Sequence, residues 1–175
     1  MKKRSVRLKD QREVTLRLLL PEDKEQLLSM VTSFSVDALM WSNPPYDEEK
    51  VNRWMSGTKS GLSIVAIFEN RLVGIAAVYQ FPRPRQKEIG DMMIYIHQDF
   101  HGVGLGTVMT ENLLVLARNK RLHRIGLEVV QENEAAVRLY KKLGFEIEGI
   151  LKDAYYGADK KYHNILVMGI LLSKT

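Results

Sequence analysis

The spacing of apolar and polar positions changes several times along this chain, and each change marks an element. Val14 to Leu19 reads as a first strand. Pro21-Glu22-Asp23 then opens a helix, with acids where the dipole favours them. Leu27, Met30, Val31 and Phe34 recur at helical spacing, and Ser42-Asn43-Pro44-Pro45 breaks the chain. A second helix is predicted over Asp47 to Met55, with Val51, Trp54 and Met55 on one face, ended by Gly57 to Gly61. Leu62 to Phe68 and Leu72 to Phe81 are β-rich and joined by Glu69-Asn70-Arg71, a hairpin signal. A Pro-Arg-Pro-Arg loop leads to a strand over Glu88 to Ile96. Val108, Met109, Leu113, Leu116 and Ala117 then line a helix ending near Asn119, and Ile125 to Val129 alternates as a strand. Asn133 is a natural N-cap for Glu134 to Leu143, and Gly144 is placed to stop that helix. Phe145 to Ile150 and Ile165 to Leu172 are the last strands, with a polar, tyrosine-rich loop over Lys152 to Asn164.

The order β-α-α-β-β-β-α-β-α-β-β predicts a mixed α/β domain. The 175 residues, 45% hydrophobic and 27% charged, suit one soluble globular unit with a real core. We expect a single domain over residues 13–175, preceded by a detachable basic segment over residues 1–12. Lys2, Lys3, Arg4, Arg7, Lys9 and Arg12 in that segment supply much of the net charge of +5. Neither it nor Arg83, Arg85 and Lys87 interleaves aromatics or matches a nucleic-acid motif, so these read as solvated charge rather than a nucleic-acid surface.

Cysteine is absent, which excludes disulfides, thiolate metal sites and a cysteine nucleophile. His97, His101, His123 and His163 lack metal-site spacing, so no metal is expected. No apolar run reaches the ~18 residues of a membrane span, and no signal peptide follows the basic start. The expected location is the cytoplasm.

The densest chemistry lies between the strand ending at Ile96 and the helix after it. Gly102, Gly104 and Gly106 fall at every second position just before that helix. Glycine lets backbone approach a ligand closely, and the unpaired N–H groups of a helix start attract anions, so the run reads as a phosphate cradle. A dinucleotide fingerprint needs G-x-G-x-x-G, and Thr107 stands where its third glycine would be. A Walker loop needs a Gly-Lys-Ser/Thr that is not there.

A second signature lies a helix and a strand further on: Asn133, Ala136, Leu139, Tyr140, Leu143, Gly144 and Phe145, in the form Asn-x-x-Ala-x-x-Leu-Tyr-x-x-Leu-Gly-Phe. With His101-Gly102-Val103-Gly104-Leu105-Gly106, which fits Gln/Arg-x-x-Gly-x-Gly/Ala except at His101, it resembles the GNAT superfamily of acetyl-CoA-dependent N-acetyltransferases. The resemblance covers about Leu62 to Leu172. It implies one mixed, mostly antiparallel sheet flanked by helices, with a splayed, bulged strand before the glycine loop.

It also implies roles. Backbone groups of His101, Gly102, Val103, Gly104, Leu105, Gly106 and Thr107 would hold the pyrophosphate of coenzyme A, and Ile94, Tyr95 and Ile96 would pair with its pantetheine arm and thioester. Asn133 would bond the arm, cap its helix, or do both. Tyr140 would give a proton to the departing sulfur. Glu128, on the strand before Asn133, is the first candidate for the general base, with Glu88, Asp91 and water relays as rivals.

Gly149 through Met168 resembles the branch holding ribosomal-protein, polyamine and amino-acid acetyltransferases, with Asn164 at a position where that branch has Asp. Asp37, Trp41, Tyr46, Asp47, Glu48 and Glu49 place acids beside aromatics, which suits a cationic amine. Asp47 to Glu49 equally suit a helix start. The expected partners are acetyl-CoA and an amine: a protein N-terminus, a polyamine or an amino acid. A homodimer is left open. The competing reading is a catalytically silent module that senses acyl-CoA or is tethered to nucleic acid or the ribosome.

Overall fold

A computed structural model of the chain describes residues 2–56, 62–81 and 83–172. The expected helix stop at Gly57 to Gly61 lies outside the described residues. Eight strands form one sheet: β1 (Arg4–Arg7), β2 (Glu13–Leu18), β3 (Ser63–Phe68), β4 (Arg71–Gln80), β5 (Ile89–Ile96), β6 (Arg124–Val130), β7 (Glu146–Tyr156) and β8 (Tyr162–Leu171), in the order β1-β2-β3-β4-β5-β6-β8-β7. Among the described residues, four α-helices cover it: α1 (Lys24–Thr32), α2 (Glu48–Ser56), α3 (Leu105–Asn119) and α4 (Glu134–Lys142). Among the described strands, β5 and β6 are the only parallel neighbours.

Two apolar layers sandwich the sheet. On one face Leu105, Met109 and Leu113 of α3 and Tyr140 of α4 pack on Ile64, Ala76, Met92 and Ile125. On the other, Leu27 and Met30 of α1 and Val51 and Trp54 of α2 pack on Val65 and Ile75. Leu72 to Val78 is buried throughout because β4 lies at the centre, covered on both sides. That burial is why its apolar run is continuous rather than alternating. Glu69 and Asn70 take φ of 46° and 64°, as a two-residue hairpin turn with the sheet's twist requires.

Two expectations are corrected. Residues 4–7 are not a loose segment: they form β1, paired antiparallel with β2 from Arg4↔Leu16 to Arg7↔Glu13. A four-residue edge strand with exposed basic side chains has almost no apolar periodicity to betray it. The tyrosine-rich stretch over Lys152 to Asn164 is mostly strand. β7 runs to Tyr156 and β8 starts at Tyr162, and cross-strand pairing overrides the polar composition.

The splay is present. β5 pairs with β6 only from Ile89↔Arg124 to Asp91↔Gly126, after which the two strands part. On its other side β5 stays in one unbroken register with β4, from Gly90↔Gln80 to Ile96↔Gly74. The expected bulge is therefore absent from that ladder; the register shifts lie between β3 and β4 and between β7 and β8. The gap arises from divergence of β5 and β6.

Candidate active site

In an antiparallel ladder, alternate residues turn their backbone groups to the partner strand. His97 N–H donates to Val73 O at 2.9 Å and Phe81 N–H to Ile89 O at 3.4 Å, so odd-numbered β5 residues face β4. Ile94 and Ile96 therefore turn their amides and carbonyls into the gap, and Tyr95 spends its own on Ile75. The same alternation between β6 and β8, marked by Gln131 N–H on Asn164 O, leaves the backbone of Glu128 facing the gap from the other side.

The gap opens into a cleft of about 560 Å³ lined by Ile94, Ile96, the glycine loop, Asn133, Leu139 and Tyr140. That volume is in the range of small-molecule sites. The three glycines serve two purposes. Gly102 and Gly104 have φ of 74° and 91°, a region L side chains rarely adopt. Gly106 admits α4 instead: a Cβ there would lie 3.2 Å from Leu139 and 3.4 Å from Ile96. Val108 N–H is the first of α3 to bond back into the turn, at 3.2 Å from Gly104 O. The amides of Leu105, Gly106 and Thr107 thus have no partner within the helix, and these residues line the cleft, an arrangement that suits an anion.

Most of the expected cofactor residues meet here: Ile94, Ile96, His101, Gly102, Gly104, Leu105, Gly106, Thr107, Asn133 and Tyr140 all line the cleft. Two do not. The Val103 carbonyl turns away to accept from Lys9 N–H at 3.1 Å. The Tyr95 ring lies on the opposite face, stacked 4.9 Å from Trp54 and edge-on to Tyr46 at 5.4 Å. Burial, then the neighbouring Tyr46 hydroxyl, pushes the Tyr95 phenol well above its ordinary range. His101 lines the cleft, but its Nε2 lies 2.9 Å from Ile96 O. A carbonyl only accepts, so this nitrogen carries the proton and the ring is tied to the strand end.

Asn133 caps α4, its Oδ1 accepting from Ala136 N–H at 3.3 Å. Its amide NH2 remains to donate, so the two expected roles use different atoms. Tyr140 is buried against Phe145, ring centroids 5.7 Å apart, and burial pushes its phenol up to about 12. The phenol therefore keeps its proton across the neutral range.

Two of the base candidates, Asp91 and Glu128, lie on the other face of the sheet. Asp91 is at the last β5–β6 pair, where a Cβ on Gly126 would come within 2.8 Å of its Oδ1. Burial raises its carboxyl and Arg124 opposes the rise. Arg124 itself is held by both carboxylate oxygens of Glu148. Glu128 shares the face of Gly126 two residues on, exposed and beyond the last pair, at the mouth of the splay. Glu88 uses its carbonyl to anchor His123 N–H at 2.7 Å, below the paired end.

The acids at the start of α2 have structural partners. Asp47 Oδ1 accepts from Lys50 N–H at 2.8 Å, Glu48 pairs with Lys24 at 2.6 Å and Glu49 with Arg53 at 3.6 Å. Asn164 ties strands together, accepting from Asp153 N–H at 3.1 Å and donating to Gln131 at 3.2 Å. An aspartate there would lack the second bond. Sequence reasoning missed Lys9, Arg138 and Lys142, the cations of the cleft. Lys141 and Lys142 in the last turn of α4 read simply as helix-dipole partners, and no local pattern brings Lys9 to a loop so distant in sequence.

A sequence profile described as "Acetyltransferase (GNAT) family" matches residues 27–145. The chain is 31% identical over 109 residues to the L-amino acid N-acetyltransferase AaaT of Escherichia coli (strain K12), covering 56% of this chain and 67% of that protein. It is 25% identical over 164 residues to the putative phosphinothricin acetyltransferase YwnH of Bacillus subtilis (strain 168), covering 91% and 100%. Its fold is similar to that of a GNAT acetyltransferase from Streptococcus pneumoniae, with a TM-score of 0.79, 26% identity, and 91% of this chain and 99% of that chain covered.

Proposed function

This chain belongs to the acetyltransferase (GNAT) family, and from that premise we propose that it moves the acetyl group of acetyl-CoA directly to a primary amine held in the same complex. The observation that carries the reading is the joining of two features in one cleft that Tyr140 also lines: free helix-start amides at the glycine loop, and the open backbone of Ile94 with the Ile96 N–H. That donor set suits a ligand with phosphates at one end and an amide-bearing arm at the other. Acetyl-CoA would supply an activated acyl group with a thiol as leaving group.

The loop amides and the α3 dipole hold the phosphates. Backbone groups of Ile94 and Ile96 orient the arm, and Asn133 Nδ2 donates beside it. Tyr140 keeps its proton for the sulfur. Glu128, at the mouth of the splay, takes a proton from the incoming ammonium, directly or through water, so that the amine can attack. The acceptor would approach from the face of the sheet that carries Glu128.

Amino acids are the first acceptors to test, because the relative in Escherichia coli is named for them. Purified protein with acetyl-CoA and a panel of L-amino acids, polyamines and short peptides is expected to release free CoA with at least one class. Coenzyme A binding without release against every class would overturn the enzymatic reading in favour of a sensing module.

A further inference from the structure

We propose that Lys9, from the turn between β1 and β2, supplies the cation that meets the pyrophosphate at the glycine loop. The inference rests on the coenzyme A reading of the cleft. The turn is built to stand there. Leu8 is buried, its N–H donates to Arg12 O at 2.8 Å, and Gln11 N–H donates to Leu8 O at 3.1 Å. Arg12 donates to Asp99 O at 2.6 Å and lies 3.9 Å over the Phe100 ring, which fixes the turn against the segment leading into the loop. Lys9 N–H then grips Val103 O, between the two left-handed glycines. The Lys9 stem runs along the loop, so that a Cβ on Gly104 would touch its Cγ and Cε at 3.6 Å.

The remaining charges in the cleft make this placement informative. His101 is tied to Ile96 O, Arg138 is paired with Glu134 at 2.8 Å, and Lys142 belongs to the last turn of α4, where the dipole of that helix already favours a cation. Among the described residues the Lys9 ammonium has no carboxylate partner, although it lines the same cleft as the start of α3. A cation beside a helix N-terminus is repelled by the dipole, so in the free protein this arrangement costs free energy. An anion lying between the ammonium and the α3 amides reverses the sign of that interaction. Lysine is effective here as a point charge on a flexible stem, which needs no bidentate geometry.

Titration calorimetry with coenzyme A and with dephospho-coenzyme A, which lacks the ribose 3′-phosphate, tests the assignment. Lys9→Gln is expected to weaken both ligands about tenfold at low ionic strength, and Lys9→Arg to stay within about twofold of the parent. The Lys9→Gln loss should shrink toward ~0.5 M salt, which a purely structural role would not produce. Equal affinity of Lys9→Gln and parent overturns the proposal, as does a loss confined to coenzyme A, which would assign Lys9 to the 3′-phosphate. Failure of the parent protein to bind either ligand would instead overturn the cofactor reading on which the proposal rests. Lys9→Met, which keeps the stem, separates loss of charge from loss of packing.

Discussion

The ring of His101 reaches back five residues, Nε2 to the carbonyl of Ile96 at 2.9 Å, and closes the end of β5 onto the start of the glycine loop. Two groups that the sequence offers separately to a ligand are thus spent on each other. His101→Ala removes one partly solvated hydrogen bond, worth about 1 kcal/mol. Coenzyme A binding should weaken about fivefold, with the salt dependence of the parent protein. A loss that vanishes at high salt would show a direct phosphate contact instead.

Tyr140 reaches the cleft from a helix face where spacing alone would have buried it. Tyr140→Phe keeps the ring packed on Phe145 and deletes only the donor. Turnover is expected to fall at least about tenfold with acetyl-CoA affinity nearly unchanged. Burial pushes the phenol up to about 12, so the parent enzyme should show no alkaline loss of activity from this group below about pH 11. Unchanged turnover in Tyr140→Phe would remove the residue from the chemistry.

Glu128 and Asp91 share one face of the sheet but sit on either side of the point where β5 and β6 part. Glu128→Gln should lower turnover about 100-fold. Asp91→Asn should lower it far less, because Asp91 lies in the paired region among Gly126 and Arg124. The opposite pattern would transfer the base to Asp91.

His163 clasps the turn between β7 and β8. Its two ring nitrogens lie 3.0 Å from Asp159 and 3.3 Å from Glu132, and the Trp41 ring meets it at 5.1 Å. Tyr155 beside it donates to Met40 O at 3.1 Å and to Ser42 O at 2.8 Å. The Asp159 hydrogen bond, ahead of Glu132, raises the imidazole above its ordinary value despite its burial. A raised folded-state pKa adds stability that is complete below the unfolded value and is lost as pH climbs through the folded one. The melting-temperature advantage of the parent over His163→Gln should therefore be largest near pH 6 and shrink toward about pH 9. A constant difference would mean that Trp41 packing, not charge, holds the clasp.

The sequence by itself determined the helices α1 to α4, the strands β2 to β6, and the glycine-rich turn with its downstream tyrosine. These depend on periodicity, caps and glycine spacing, which act over a few residues. β1, the extension of β7 and β8, and the separate uses of the three glycines were decided by tertiary structure. Edge strands are held by ladder bonds rather than by apolar patterning, and the need for Gly106 exists only once Leu139 packs against it. The same holds for charge: Lys9 reads as part of a basic segment until the β1–β2 turn brings it to Gly104. Local sequence specifies which groups are present and their local conformation. Only the folded chain decides which of them are already paired with one another and which remain open to a ligand.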